Sequence, residues 1–264
     1  MRATSITYEQ AVYGSFPFWD RGYAVLGRSP GCRDEWLADF RAICSSCGER
    51  PAGFRESKSL FALKMASGPW AVVGVFPIGR DDTGRPGASA FHGLFVKGAD
   101  YRRAGASPFV FRELLRGDWG PGDTTLAAGR MAIPESSLEP VEPDPAALAA
   151  ARAIERGMRV LVRSDEPIDD TARRIWAVLS PKMRARAGIA TWVFHPANDF
   201  RLAGMPRIQK YYEDRYVEIN DLLEEPVAAA AEIDPLRRSR RVFWVMAALA
   251  AAIVIVSSCR GAGP

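Results

Sequence analysis

Residues 70–96, WAVVGVFPIGRDDTGRPGASAFHGLFV, decide the fold of this chain. Two runs rich in β-branched and aromatic residues, 70–76 and 90–96, have the composition of strands. Between them, residues 79–87 (the signature loop) contain three glycines, one proline and charges of both signs. Glycine, proline and aspartate are the residues from which tight turns are made. The stretch therefore predicts two strands joined by a shaped loop.

Further elements are predicted on both sides of this stretch. Strands are expected at 23–26 and 60–63, and 60–76 reads as a hairpin that turns at 67–69. A helix is expected over 34–44, because its apolar residues fall on one face at helical spacing. That face consists of Trp36, Leu37, Phe40, Ile43 and Cys44.

The second half of the chain shows clearer helix boundaries. Asp144 is placed as an N-cap before Pro145, and Gly157 is placed to end the same helix. A strand is predicted at 159–163, a helix at 168–179 and another strand at 189–194. This uneven alternation predicts an α+β (mixed α/β) fold, a compact body with a mixed sheet and flanking helices.

Five segments are predicted along the chain. An N-terminal α+β domain spans 1–133, and a proline-rich linker spans 134–145. A second α/β region, 146–207, is expected to pack on the first. A polar stalk with a basic juxtamembrane cluster follows at 208–241, and a transmembrane helix at 242–259.

The terminal segment, VFWVMAALAAAIVIVSSC, has no charged residue. As a helix it would extend roughly 27 Å, close to the ~30 Å thickness of a bilayer core. Arginines lie mostly on its N-terminal side, and a tryptophan lies at the expected interface. These membrane-flanking residues are Arg237, Arg238, Arg240, Arg241 and Trp244. The pattern predicts a tail-anchored protein of the cell membrane, with a cytoplasmic body and its C-terminus outside. A buried C-terminal helix of a soluble domain is the competing interpretation.

The terminal segment also bears on partners. The arginine cluster would attract anionic lipids. The pairs Ala247/Ala251 and Ala248/Ala252 would let two such helices pack closely, so a homodimer through this helix is a further hypothesis. Apart from the five arginines that flank the segment, the chain has 30 basic and 31 acidic side chains. This near-neutral body predicts no nucleic-acid partner.

Residues capable of catalysis are few. His92 could act as a general base with Asp81 or Asp82, and Ser15 or Ser89 could be imagined as a nucleophile. No spacing forms a nucleophile elbow or a triad signature. A histidine satisfied inside a sheet is the favoured interpretation.

The pair Cys44 and Cys47 forms a CxxC motif, but it closes the predicted helix. In a redox CxxC motif the thiols lie at a helix N-terminus, and that position lowers their pKa. With Cys32 the motif is also one ligand short of a zinc site. Buried thiols are favoured, and we predict no metal and no cofactor.

The signature loop has two interpretations, a turn with an internal Asp–Arg pair or a rigid recognition loop. For the second, the candidate binding residues share the loop and the strand after it. They are Asp82, Gly84, Arg85, Gly87, Phe91 and His92. Asp82, Arg85 and His92 are expected to form the ordered core of this motif.

Several short motifs resemble the bacterial GTPase-associated adaptor family, the companion proteins of GTPase-centred systems. The N-terminal ones are Tyr13-Gly14-Ser15, Gly22-Tyr23, Ser29-Pro30-Gly31 and Asp82-Thr83-Gly84-Arg85-Pro86-Gly87 followed by Phe91-His92-Gly93. The middle ones are Leu179-Ser180-Pro181, Arg184, Arg186 and Thr191-Trp192-Val193-Phe194. The resemblance covers roughly residues 8–207. This chain departs from the family pattern at Thr83, where an aromatic residue is usual, and at Ala88, where an asparagine is usual.

The resemblance implies an adaptor that works beside a small GTPase, with no known catalytic residue. The leading hypothesis is thus a membrane-tethered cytoplasmic adaptor or scaffold for a protein partner, in a GTPase-associated system. The alternative is a membrane-anchored hydrolase that uses His92 with Asp81 or Asp82. A thiol-redox module is the third hypothesis.

Overall fold

A large mixed sheet organises the chain. The computed structural model describes residues 5–51, 53–133, 144–195, 198–208 and 210–224. Its strands are β1 (Ser5–Gly14), β2 (Ala24–Arg28), β3 (Ser59–Lys64), β4 (Trp70–Arg80), β5 (Pro86–Val96), β6 (Gly129–Ala132), β7 (Val160–Arg163), β8 (Gly188–Ala190), β9 (Phe200–Met205) and β10 (Val217–Glu218). Its helices are α1 (Asp34–Ser45), α2 (Gly98–Arg103), a 3₁₀ helix (Pro108–Leu114), α3 (Pro145–Glu155), α4 (Asp169–Val178), α5 (Pro181–Arg184), α6 (Lys210–Glu213) and α7 (Asp221–Glu224). The predicted α+β class is confirmed.

The sheet joins an antiparallel half to a parallel half. Its order among the described residues is β10-β7-β9-β8-β3-β4-β5-β1-β2, with β6 paired to β1. Strands β3, β4, β5, β1 and β2 pair antiparallel, whereas β10, β7, β9 and β8 pair parallel. The two halves meet where β8 pairs antiparallel with β3, in the register Phe61 to Ala190. The regions on either side of the predicted linker therefore share one sheet.

Both faces of the sheet are covered, which follows from the alternation of side chains along a strand. Leu60 and Ala62 of β3 face one apolar cluster, which contains Trp176 of α4. Phe61 faces the other, which contains Phe40 of α1 and Phe200 of β9. Burial of each large apolar side chain against either face stabilises the folded protein by roughly 1.5–3 kcal/mol.

The helix predictions hold where local signals set the boundary. Asp144 caps α3 by accepting the N–H of Ala147 at 2.7 Å. Gly157, just past the helix, has a φ of +88°, a conformation that glycine adopts without strain. In α1 the predicted apolar face is buried through Leu37, Phe40 and Ile43.

Other elements differ from the prediction. The strand expected over 189–194 ends at Ala190, because Thr191 turns the chain away from the ladder. Its Oγ1 accepts the N–H of Leu60 at 3.0 Å, and its carbonyl accepts the N–H of Ile168 at 2.9 Å. Strands β1, β6, β9 and β10 were not predicted from the sequence.

Residues assigned to the polar stalk belong in part to the body. Strand β10 pairs parallel with β7, in the register Val217 to Val160. Ile219 is buried in the cluster that contains Trp176. The compact unit accordingly runs to Glu224.

Within the described ranges, no helix is long and apolar enough to span a membrane. The segment predicted to do so, 242–259, lies outside those ranges, together with the flanking residues from Arg237 to Trp244. Most of the predicted linker, residues 134–143, lies outside them too.

Candidate functional site

The signature loop is organised around the carboxylate of Asp81, at the end of the β4–β5 hairpin. Asp81 Oδ1 accepts from Thr83 N at 2.9 Å, from Thr83 Oγ1 at 2.7 Å and from Arg85 N at 2.8 Å. Asp81 Oδ2 pairs with Arg85 Nε at 2.8 Å. Gly84 and Gly87 supply the positive φ angles, +83° and +88°, that the tight turn requires. The loop is thus a rigid, internally satisfied turn.

The electrostatics of Asp81 follow from these contacts. Its side chain is only 5% exposed, and burial opposes ionisation. The hydrogen bonds from Thr83 and from Arg85, together with the Arg85 charge, outweigh that effect. They lower the pKa of Asp81 to about 2. The carboxylate therefore stays charged and keeps the turn closed at all physiological pH values.

Asp82, the next residue, ties the hairpin to the segment that precedes β2. Its Oδ1 accepts from Ser15 Oγ at 2.6 Å, and its Oδ2 accepts from Gly22 N at 2.5 Å. Ser15 Oγ also accepts the N–H of Asp82 at 3.2 Å. The hydrogen bond from Ser15 and that from Gly22 lower the pKa of Asp82. This clamp fixes the position of Tyr23, which directly follows Gly22.

Tyr23 forms one side of a groove between the hairpin and the C-terminal end of α1. One cavity of about 190 Å³ and an adjoining one of about 240 Å³ share Tyr23, Glu49 and Gly87 as lining residues. We call this the aromatic groove. Its lining residues are Tyr13, Tyr23, Cys44, Ser45, Gly48, Glu49, Arg50, Asp81, Arg85, Pro86, Gly87, Ala88, Ser89 and Phe91.

Three aromatic rings form the apolar side of the groove. The Tyr13 ring centroid lies 5.8 Å from that of Tyr23 and 6.0 Å from that of Phe91. Tyr23 is 40% exposed, whereas Tyr13 and Phe91 are buried behind it. Burial raises the pKa of Tyr23 and of Tyr13, so both hydroxyls remain protonated donors at neutral pH.

Charges of both signs border these rings. The Arg85 side chain is 74% exposed and uses Nε for Asp81, which leaves its terminal nitrogens for another group. Glu49 is exposed and forms no ion pair with any residue that the structure describes. Arg50, by contrast, is held by Glu56 at 2.7 Å and by the carbonyl of Phe54 at 3.0 Å.

The wall opposite Tyr23 is fixed by the second half of the chain. Both Phe194 N and His195 N donate to the carbonyl of Cys47, at 3.0 and 3.1 Å. A Cβ on Gly48 would lie 3.0 Å from that of His195, so a larger residue would push these segments apart. The groove is consequently preformed on both sides.

His92 lies outside this network. Its ring is 1% exposed, Nε2 lies 2.8 Å from Gln10 Oε1, and Nδ1 accepts the N–H of Arg116 at 3.1 Å. Because Nδ1 is an acceptor, Nε2 carries the proton and the ring is neutral. Burial, aided by the positive charge of Arg116, lowers the pKa of His92 to about 3. Both nitrogens are occupied and neither contacts Asp81 or Asp82.

The structure does not bring the side chains of Asp82, Arg85 and His92 together. Arg85 pairs with Asp81, since the five-residue turn brings these two together, and Asp82 points to Ser15 instead. His92 is hydrogen-bonded inside the sheet, as its favoured interpretation predicts. Of the other predicted residues, Gly87 and Phe91 line the groove and Gly84 shapes the turn.

The CxxC thiols are free and buried. Burial raises the pKa of Cys44 well above its usual range and that of Cys47 to about 12. Such thiols are protonated and unreactive at neutral pH. Across the described residues, no group of three or more His, Cys, Asp or Glu side chains is arranged to hold a metal ion.

Several groove residues were not singled out from the sequence. Tyr13 and Tyr23 were noted only within short motifs, and Glu49 not at all. The one local signal concerns Tyr23, a tyrosine that follows Gly22 just before a strand. Tyrosines also occur at such positions in ordinary strands. Comparison with family models, curated proteins and solved structures found no significant match to this chain.

Proposed function

We propose that this protein is a membrane-tethered adaptor whose body binds a protein partner through the aromatic groove. The observation that carries the proposal is the preformed groove itself. It combines an exposed tyrosine with an arginine and a glutamate that have unused bonding capacity. Tyrosine and arginine are the residue types enriched at energetically important points of protein interfaces.

The rigidity of the groove supports binding. The Asp81 turn, the Asp82 clamp and the Cys47 contacts hold its walls before any partner arrives. A preformed surface avoids the entropy cost of ordering loops on association. The positions of Arg85 and Glu49 beside the rings favour a partner segment with an apolar side chain flanked by opposite charges.

The contacts of His92 favour an adaptor over the hydrolase. A general base needs a nitrogen within reach of the proton that it removes and a pKa near the working pH. Gln10 and Arg116 already occupy both ring nitrogens of His92. Burial also lowers its pKa to about 3, far below a neutral working pH.

The tether and the partner class complete the proposal. The apolar segment 242–259 and its arginine flank support a tail anchor with the body in the cytoplasm. The resemblance to GTPase-associated adaptors supports a GTPase, or a component that works with it, as the partner. A homodimer through the alanine pairs of the anchor belongs to the same proposal, and disulfide crosslinking of single-cysteine anchors in membranes tests it.

The groove is tested by affinity capture of the full-length, detergent-solubilised chain from its native cells, followed by mass spectrometry. Tyr23→Ser removes the exposed ring of the groove. Phe18→Ser is the matched control, because Phe18 is equally exposed at 42% but does not line the groove. The expected result is a partner that is retained by the wild type and by Phe18→Ser and is lost with Tyr23→Ser.

A captured protein that binds all three chains equally would refute the role of the groove. If the partner is a GTPase, its binding to this protein should be stronger in one nucleotide state, when the purified pair is compared with GTP and with GDP loaded.

Carbonate extraction tests the tether separately. The full chain should stay in the membrane pellet, and a chain that ends at Arg241 should be released.

A further inference from the structure

A second cavity lies away from the aromatic groove, between the end of α2 and α5. Its volume is about 390 Å³, within the range of small-ligand pockets. Among the described residues, the charged ones that line it are all cations, Arg102, Lys182 and Arg186, and none is a carboxylate. We call it the basic cavity.

The three cations are not neutralised by any carboxylate that the structure describes. Within the described part of the chain, none of them takes part in an ion pair. The acidic groups on neighbouring elements are engaged elsewhere. Asp100 pairs with Arg103, and Glu155 accepts the N–H of Ser180 at 2.8 Å. Three like charges around one cavity repel each other, and a bound anion would relieve that repulsion.

Three residues next in the chain to lining residues carry buried polar atoms without a partner. Five buried side-chain nitrogens or oxygens in the described residues lack a hydrogen-bond partner, and three of them belong to Tyr101, Ser107 and Arg184. Each of these residues is the direct chain neighbour of a lining residue, although none of the three lines the cavity itself. Tyr101 and Ser107 are fully buried, and Arg184 is 8% exposed. Buried polar groups in folded proteins are normally satisfied by protein, water or ligand.

We infer that the basic cavity binds a small phosphate-bearing ligand with at least two negative charges. Arginine presents a planar fork that matches phosphate oxygens, and lysine adds a compact point charge. Two arginines and one lysine around a single cavity fit a ligand with two phosphoryl groups. Both a diphosphate and the phosphorylated headgroup of a membrane lipid carry this chemistry.

Isothermal titration calorimetry of the full-length chain in a non-ionic detergent, with HEPES as buffer, tests the inference. Pyrophosphate and soluble inositol trisphosphate are the two probes, and neither requires a membrane that the anchor itself could bind. The expected result is saturable binding of at least one probe with a Kd below about 1 mM. The tighter probe identifies the source, a free diphosphate or a lipid headgroup.

Variants locate the binding. Lys182→Gln and Arg186→Gln should each weaken binding about tenfold, as expected for loss of a hydrogen bond to a charged group. Arg55→Gln removes one exposed arginine elsewhere on the molecule, which pairs with none of the described carboxylates, and should leave the Kd unchanged. Absence of binding by both probes, or an equal loss in all three variants, would overturn the inference.

Discussion

Acidification should destabilise the folded protein through His92 by an amount that the structure sets. An unfolded histidine has a pKa of about 6.5, whereas burial lowers that of His92 to about 3. The neutral form is thus favoured by folding. Its stabilisation is fully present above about pH 6.5 and is lost progressively as the pH falls toward 3. At pH 4.5, two units below the unfolded pKa, the loss is about 3 kcal/mol, because one unit corresponds to about 1.4 kcal/mol.

The assay is urea unfolding of the full-length chain, followed by tryptophan fluorescence, at several pH values between 7.5 and 4.5. His92→Gln removes the titrating ring but keeps an amide. Below about pH 6, the free energy of unfolding of the wild type should fall by about 1.4 kcal/mol more per pH unit than that of His92→Gln. Ile175→Val, a core change without a titrating group, should keep the wild-type slope. Parallel curves for the wild type and His92→Gln would refute the neutral, hydrogen-bonded histidine.

Three further predictions concern the clamp, the sheet edge and the thiols. Asp82→Ala should release the segment 15–22, so that trypsin cleaves the native protein after Arg21 faster than in the wild type. Gly27→Ala should cost about 1–3 kcal/mol of unfolding free energy in urea, because its Cβ would overlap the backbone carbonyl oxygen of Asp123. Iodoacetamide at neutral pH should leave Cys47 of the native protein unmodified, since its pKa is about 12.

Matched controls accompany these predictions. Asp20→Ala removes a carboxylate from the same exposed segment and should not change tryptic cleavage. Gly122→Ala meets no atom within 4 Å and should be neutral. Alkylation of Cys47 in urea should be complete. Equal cleavage in both Asp variants, equal stability of the two Gly variants, or fast native alkylation would each contradict the corresponding prediction.

Local signals explain which elements could be predicted. Helix α3 carries its own boundaries in Asp144 and Gly157, and β4 is a continuous β-rich run. Strand β9, Phe200–Met205, includes an arginine and a glycine and shows no alternation. It becomes a strand because parallel neighbours bond it on both sides, a condition set by the tertiary structure.

The same distinction applies to the site. The interpretation of the loop as a turn with an internal Asp–Arg pair needs only contacts within five residues, and the pair of Asp81 with Arg85 forms. The bond from Ser15 to Asp82 joins residues 67 positions apart, and Gln10 and His92 are 82 apart. No spacing within a sequence indicates such partners. The sequence therefore favoured a His92 that is satisfied inside a sheet, but it could not name Gln10 and Arg116 as the partners.

The seam between the two halves of the sheet has a consequence for biosynthesis. Strand β3, with the sequence SLFALK, is hydrogen-bonded on one side by β4 and on the other by β8. While the ribosome has released only the first half of the chain, β8 does not yet exist, and β3 is an open, apolar edge. Open edges of this kind pair with other chains and aggregate. We therefore expect the nascent chain to be most prone to aggregation until residue 190 has been translated, and we expect the yield of soluble body to change with the speed of synthesis up to that residue.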